Sequence, residues 1–417
     1  MSVPTAQAQQ PDEGRWHEAF RRVVSGGWLV SVGAIVLAVV AGAIMIAATD
    51  EGVRTASGYF FAQPGDTFRA IGTSVGGAYA ALFRGAVWDF RADDFPTAIK
   101  PLTNSLFQAT PLIMAGLGVA LSFRAGMFNI GGRGQMLAAA AAGAWIGFGV
   151  DMPFPWHMLL AIVAGILAGA LWGGIAGLLK ATTGAHEVIV TIMLNYVAFY
   201  IVSYLLATPG LLQAPGSANP KSPPMKPSAV MPDLLGQRYN VHWGFVIALL
   251  AVAFTWWLLN RSRLGFEFRA VGENPAAARV AGINVPRSTV YAMLVAGGLV
   301  GLAGVTQTLG TTTTGLTSGI DAGVGFDAIT VALLGRSQPL GVLGAGILFG
   351  AFKAGGSTMQ AAERVPIEIV QVVQALIVLF IAAPPLVRAV FRLPHPGAAR
   401  RPRPGKPGTV EPAQVTA

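Results

Sequence analysis

The residues able to do chemistry in this chain are mostly uncharged amides and hydroxyls set inside long apolar runs. Glu187, Thr191 and Asn195 recur at i, i+4 and i+8, which places them on one stripe of a helix. Tyr196, Phe199 and Tyr200 lie on the same run. Such a stripe can hold a sugar hydroxyl and stack a base, or it can bond one helix to the next with Glu187 at the membrane edge. Asn104 and Gln108 share a face of another run, as do Gln371 and Gln374 near the end of the chain; each pair suits either a pathway wall or helix packing. The block from Asn129 to Gln135, NIGGRGQ, is a Gly-broken polar segment between two apolar runs. Broken backbone at membrane depth is tolerated where it lines a cavity or is buried in protein. Each polar group inside lipid is costly, so each is a candidate for function.

Other chemistries are excluded. The chain has no Cys, so disulfides and thiol chemistry are out. Its His residues, at 17, 157, 186, 242 and 395, are too scattered for a metal site. No phosphate-binding G-x-x-x-x-G-K-[ST] loop occurs, so the chain does not itself hydrolyse ATP. No Ser-His-Asp set or carboxylate pair shares an apolar helix. These absences leave no enzyme site, no metal site and no cofactor in this chain.

The elements that must position these groups are membrane spans. Of 417 residues, 53% are hydrophobic and 11% charged, and the mean hydropathy is +0.58. A soluble domain carries about 25% charged residues. The expectation is therefore an all-α polytopic membrane protein, with 53 Gly favouring close helix packing. The net charge of +9 reads as Arg and Lys in cytoplasmic segments against anionic lipid rather than as a nucleic-acid surface.

In order, residues 1–27 form a polar cytoplasmic tail and 28–388 a transmembrane domain. Spans fall near 28–48, 103–122, 135–150, 157–179, 187–208, 243–260, 289–311 and 366–386. Residues 49–102 and 209–242 read as external loops, the first with an interfacial helix near 71–88 and the second extended and Pro-rich. Two short Gly-rich segments, 325–336 and 338–356, make either a hairpin or a half-helix and a helix. The crossings then number about ten, or eight if both segments are re-entrant, and both termini lie in the cytoplasm. From Arg388 onward six Lys or Arg face one Glu, so 389–417 reads as a disordered basic cytoplasmic tail.

The stretch 261–287 is the one long charged insert between spans. Its five Arg (261, 263, 269, 279, 287) against Glu267 and Glu273 place it in the cytoplasm. Asn274-Pro275 followed by Ala276, Ala277 and Ala278 is a helix start, and Gly282 and Pro286 are stop signals. A short, smooth surface helix of this kind suits docking into a groove of another protein.

AVGENPAAARVAGI, 270–283, resembles the cytoplasmic loop of permease subunits of bacterial ABC importers, with Ala276 standing where the general Glu-Ala-Ala…Gly motif has Glu. FNIGGRGQ resembles the FNIG-x-x-GQ block of the nucleoside and simple-sugar branch, and GFDAITVALLGRSQPLGVLGAGILFG resembles that branch too. Together these similarities span roughly 100–385. They imply a multi-pass subunit of the bacterial inner membrane forming the path for nucleosides, with simple sugars second and branched-chain amino acids third. They imply partners: a cytoplasmic ABC ATPase of two fused cassettes holding ATP and Mg, a second and different permease chain, and an extracytoplasmic substrate-binding lipoprotein or periplasmic protein. Coupling residues would be Arg269, Gly272, Glu273, Asn274, Ala276, Ala277, Ala278 and Gly282. Path residues would be Asn104, Gln108, Asn129, Gln135, Thr191, Asn195, Phe199, Gln371 and Gln374. The alternative of another class is an ion-coupled secondary transporter, which needs intramembrane charge relays that these spans nearly lack.

Overall fold

The computed structural model describes residues 27–236, 238–382 and 384–391. Among these the regular structure is helical, and one isolated bridge, Asp233 with His242, is the nearest thing to a strand pair. In chain order the helices are α1 (Gly27–Thr49), α2 (Glu51–Ser57), α3 (Pro64–Ala86), α4 (Phe95–Ala98), α5 (Lys100–Arg124), α6 (Gly132–Gly149), α7 (Trp156–Thr183) and α8 (Glu187–Ala207). Then follow α9 (Gly244–Arg261), α10 (Arg263–Glu273), α11 (Pro275–Val280), α12 (Val285–Thr306, prolonged by a π turn over Gln307–Thr311), α13 (Val324–Leu334), α14 (Pro339–Glu363), α15 (Ile367–Ala382) and α16 (Pro384–Val390). The expected tails 1–27 and 389–417 fall almost wholly outside the described residues.

Helices α5 and α12 form the centre, buried over most of their length, while α1 and α8 turn most of their surface outward. Small residues set the closest contacts. A Cβ on Gly169 of α7 would lie 2.5 Å from the Gly301 Cα and 2.6 Å from the Gly297 carbonyl of α12. With no hydrophobic gain from leaving lipid, such backbone approach supplies the van der Waals contact that holds two helices together.

The end of the bundle carrying α10 and α11 is here called proximal and the other end distal. Among the described residues, seven helices are long and apolar enough to span a membrane. The eighth and ninth passages are α6 and α15, and the tenth is broken. After the π turn, Leu316 is still at the distal loop, exchanging backbone and side-chain bonds with Ser222. Five residues on, Asp321 pairs with Arg133 at the start of α6. Helix α13 begins there, inside the bundle, and ends proximally, where the Ser337 carbonyl accepts from Arg124 Nε at 3.0 Å. One crossing is thus half loop and half 11-residue helix. The total agrees with about ten crossings. Ala34 of α1 packs against Val387 of α16, so the described chain enters and leaves at one end.

Two loop expectations change. The interfacial helix expected near 71–88 is longer, 64–86, and it does not simply lie outside the bundle. Ala78 and Ala81 pack with Ile46 of α1, Met359 of α14 and Ile369 of α15. The Tyr79 hydroxyl donates to the Val39 carbonyl of α1 at 2.5 Å. Small residues at 76–78, 80–81 and 85–86 give this helix a smooth face, which an average-hydropathy reading cannot see. Loop 209–242 is folded over the distal end rather than extended. Lys226 N donates to the Gly147 carbonyl, and Arg238 pairs with Asp94 at 2.6 Å. The Thr97 hydroxyl, then the Arg238 guanidinium, hold the Asp94 carboxyl below the usual carboxylate range.

Candidate translocation path and coupling site

The proximal insert is two helices rather than one. Ser262 caps α10, its hydroxyl accepting from Gly265 N at 2.9 Å. Asn274 caps α11, its Oδ1 accepting from Ala276 N at 3.0 Å and Ala277 N at 3.1 Å. Pro275 occupies the first turn, where a missing N–H costs nothing. Gly282, at φ +83°, reverses the chain, and Asn284 caps α12 through Arg287 N. Ala278 faces inward at 3% exposure, whereas Ala276, Ala277, Arg279 and Val280 face out, Val280 at 91%. The outer face of α11 is thus made of small and apolar side chains around Arg279. Arg269 reaches back to the Gly265 carbonyl and shares a cleft with Arg124, and Glu273 stands exposed at the end of α10.

This insert touches the bundle backbone to backbone. A Cβ on Gly272 of α10 would sit 2.2 Å from the Arg124 carbonyl, and Gly126, at φ +73°, abuts the Gly272 Cα. Gly126 opens the segment 126–131, whose far end is tied into a knot. Asn129 and Gln135, buried at 0% and 1%, exchange amide hydrogen bonds at 3.3 and 3.2 Å. Asn129 Oδ1 also accepts from Gly131 N. Asn195 Nδ2 donates to the Ile130 carbonyl at 2.9 Å, and its Oδ1 accepts from Gly134 N at 2.8 Å. Thr191 accepts from Ile130 N at 3.3 Å and donates to its own helix. Lys180 pairs with Glu187 at the foot of the same stripe. The stripe thus meets the Gly-rich block: the Asn195 amide and the Thr191 hydroxyl are spent on backbone, and the block's own Asn129 and Gln135 on each other. Phe199 lies one turn further along α8, 4.9 Å beneath the Arg133 guanidinium, which also pairs with Asp321.

The sequence that builds this site matches a described family. Residues 102–382 match the model of the branched-chain amino acid transport system permease component. The chain belongs to that family. It is similar to the guanosine ABC transporter permease NupP of Bacillus subtilis, 38% identical over 77% of this chain and 89% of that protein. It is similar to the glucose ABC transporter permease TsgB13 of Haloferax volcanii, 38% identical over 67% of this chain and 75% of that one. It is also similar to the nucleoside ABC transporter permease NupB of Lactococcus lactis, 32% identical over 71% of this chain and 83% of that one. No solved structure matches the chain. This permease is a multi-pass integral membrane protein of the bacterial inner membrane.

The other path candidates separate. Asn104 and Gln108 are half-buried on α5 and make no side-chain hydrogen bond among the described residues. Gln371 and Gln374 of α15 line a cavity of about 340 Å³ bounded by α13 and α14. In that cavity Lys353 Nζ stands 2.7 Å from Asp327 Oδ2. Sequence reasoning missed both intramembrane ion pairs, Arg133–Asp321 and Lys353–Asp327. Their members are separated by 188 and 26 residues, so no local pattern joins them. The only sequence signal was the presence of acids in a Gly-rich segment between spans.

Proposed function

We propose that this chain is the membrane-spanning subunit of an ATP-driven importer and forms the translocation path for nucleosides. The observation that carries the reading is α11: a doubly capped, small-residue helix with Val280 91% exposed, welded through Gly272 to the bundle. Two relatives named for guanosine and nucleosides support the solute class. The proximal end faces the cytoplasm, where five Arg of 261–287 lie, and both termini are on that side. The partner docked on α11 is an ATPase of two fused cassettes holding ATP and Mg. A second, different permease chain completes the path, and a substrate-binding lipoprotein or periplasmic protein delivers solute at the distal loops.

The contacts suggest how ATP-driven motion reaches the path. Movement of α11 shifts α10; α10 presses Gly126 through Gly272; segment 126–131 moves the start of α6; and Arg133 pulls on Asp321 at the head of the broken crossing. The steps from Gly272 onward are contacts already named, and α10 and α11 adjoin at Glu273–Asn274.

A second solute reading has its own support. The glucose relative is as similar in identity as the guanosine one, so simple sugars are the competing cargo. The ion-coupled alternative is disfavoured because each intramembrane acid of the broken crossing is already bound to a base. The docking claim is tested with Ala277→Glu, which buries an unpaired charge in any groove that takes α11. Loss of ATPase co-purification with preserved expression is expected. Unchanged recovery and transport would refute the docking site.

A further inference from the structure

We infer that the cavity between α13, α14 and α15 is a resting site for solute within the membrane, and that its chemistry fits a nucleoside. The inference rests on the nucleoside reading above and names the residues that would carry it. Lys353 lies ten residues before the end of α14, about 15 Å below the distal end at 1.5 Å per residue. Gln374 lies seven residues into α15, and Asp327 three residues into the half-helix that starts inside the bundle. The cavity is therefore at membrane depth, and its volume, about 340 Å³, is within the range of small-molecule pockets, about 300–1,000 Å³.

Its polar groups are available. Gln374 is 8% exposed, yet neither its amide nor that of Gln371 has a hydrogen-bond partner among the described residues. A glutamine offers an acceptor and two donors side by side, the pattern that matches a nucleobase edge. The Asp327–Lys353 pair keeps 31% and 25% side-chain exposure, and Asp327 Oδ1 makes no hydrogen bond among the described residues. A carboxylate oxygen so placed can accept from ribose hydroxyls. The two charges cancel, so the cavity favours a neutral solute over an ion. Phe326, 48% exposed, and Phe352 supply aromatic faces on which a base can stack. This contrasts with Asn195, Thr191, Asn129 and Gln135, whose bonds are closed among themselves and to backbone.

The chain has no Cys, so single thiols report cleanly on it. In the assembled importer, reconstituted with its ATPase and binding protein, Gln371→Cys is alkylated with a maleimide in ATP-free and ATP-trapped states. Val372→Cys, one residue along α15 and not lining the cavity, is the control. Guanosine is expected to slow alkylation of Gln371→Cys severalfold in at least one state, with glucose and leucine without effect and Val372→Cys unchanged. If Gln371→Cys does not assemble, Ala375→Cys reports on the same cavity. Equal rates with and without every solute in both states would overturn the site. Protection by glucose or leucine but not guanosine would overturn the nucleoside reading while leaving the cavity on the path.

Discussion

Replacing Asn195 with Ala separates a positioning residue from a solute ligand. Asn195 is 4% exposed and holds two backbone groups, the Ile130 carbonyl at 2.9 Å and Gly134 N–H at 2.8 Å. Asn195→Ala leaves both without that partner. An unpaired buried group costs roughly 1–3 kcal/mol. Side-chain hydrogen bonds between membrane helices average only about 0.6 kcal/mol, because the unfolded reference finds other partners. Here the orphaned groups are backbone, fixed by the Gly-rich turn and unable to swing to new partners. The lower end of the first range therefore applies to each, and about 2 kcal/mol is expected in all. The assay is thermal unfolding of the purified permease in detergent, paired with uptake kinetics in the assembled importer. A lower unfolding temperature and a slower maximal rate are expected, with the concentration at half-maximal uptake unchanged. Normal stability with a tenfold or greater rise in that concentration, equivalent to about 1.4 kcal/mol, would show that Asn195 binds solute and that the knot is incidental.

Two further outcomes follow from close packing and from burial. Gly297→Val forces a side chain towards the Gly169 carbonyl, 2.4 Å from the ideal Cβ, so a loss of about 1–3 kcal/mol is expected in the same unfolding assay; Gly184→Val, at a helix end with open space around its Cβ, isolates the left-handed backbone cost. His242 sits in the distal loop at 3% exposure, with Nδ1 accepting from Gly244 N and the Phe107 ring edge-on to it. Burial pulls its pKa down to about 4, against an opposing pull from Asp233. The unfolded chain takes up the proton near pH 6.5, so the stability from neutral His242 is complete above that value and lost as pH falls towards 4. About 2 kcal/mol should be gone at pH 5. A wild-type stability curve parallel to that of His242→Gln between pH 7 and 5 would refute this.

Much of the architecture is legible in residue pattern because lipid imposes it. Runs such as 187–208 and 243–260 match α8 and α9 within one residue, since apolar length alone defines a span. The α11 start is equally legible, because Asn274-Pro275 states its capping chemistry locally. Two helices in the insert were harder to see: the Ser262 cap that opens α10 follows directly on Arg261, with no apolar period to flag a break. The buried half of α3 is invisible to hydropathy, because its contacts are made by Gly and Ala. The stripe of Glu187, Thr191 and Asn195 was legible as a stripe, but its partners, Ile130 and Gly134, lie about sixty residues away, and only the fold shows that they are backbone. The Gln371–Gln374 face was legible as a pair. That it shares a cavity with Asp327 and Lys353 depends on α13 re-entering the bundle, which no local spacing encodes.

The central claim is that ATP hydrolysed by a partner chain drives nucleosides through this permease by way of α11. Its most direct test is uptake of labelled guanosine and glucose into proteoliposomes holding the assembled importer, with ATP supplied to the ATPase side, with and without ionophores, for wild type and Ala277→Glu. The account predicts guanosine uptake that needs ATP, survives ionophores and is lost in Ala277→Glu. Uptake that collapses with ionophores, or proceeds without the ATPase, would contradict it.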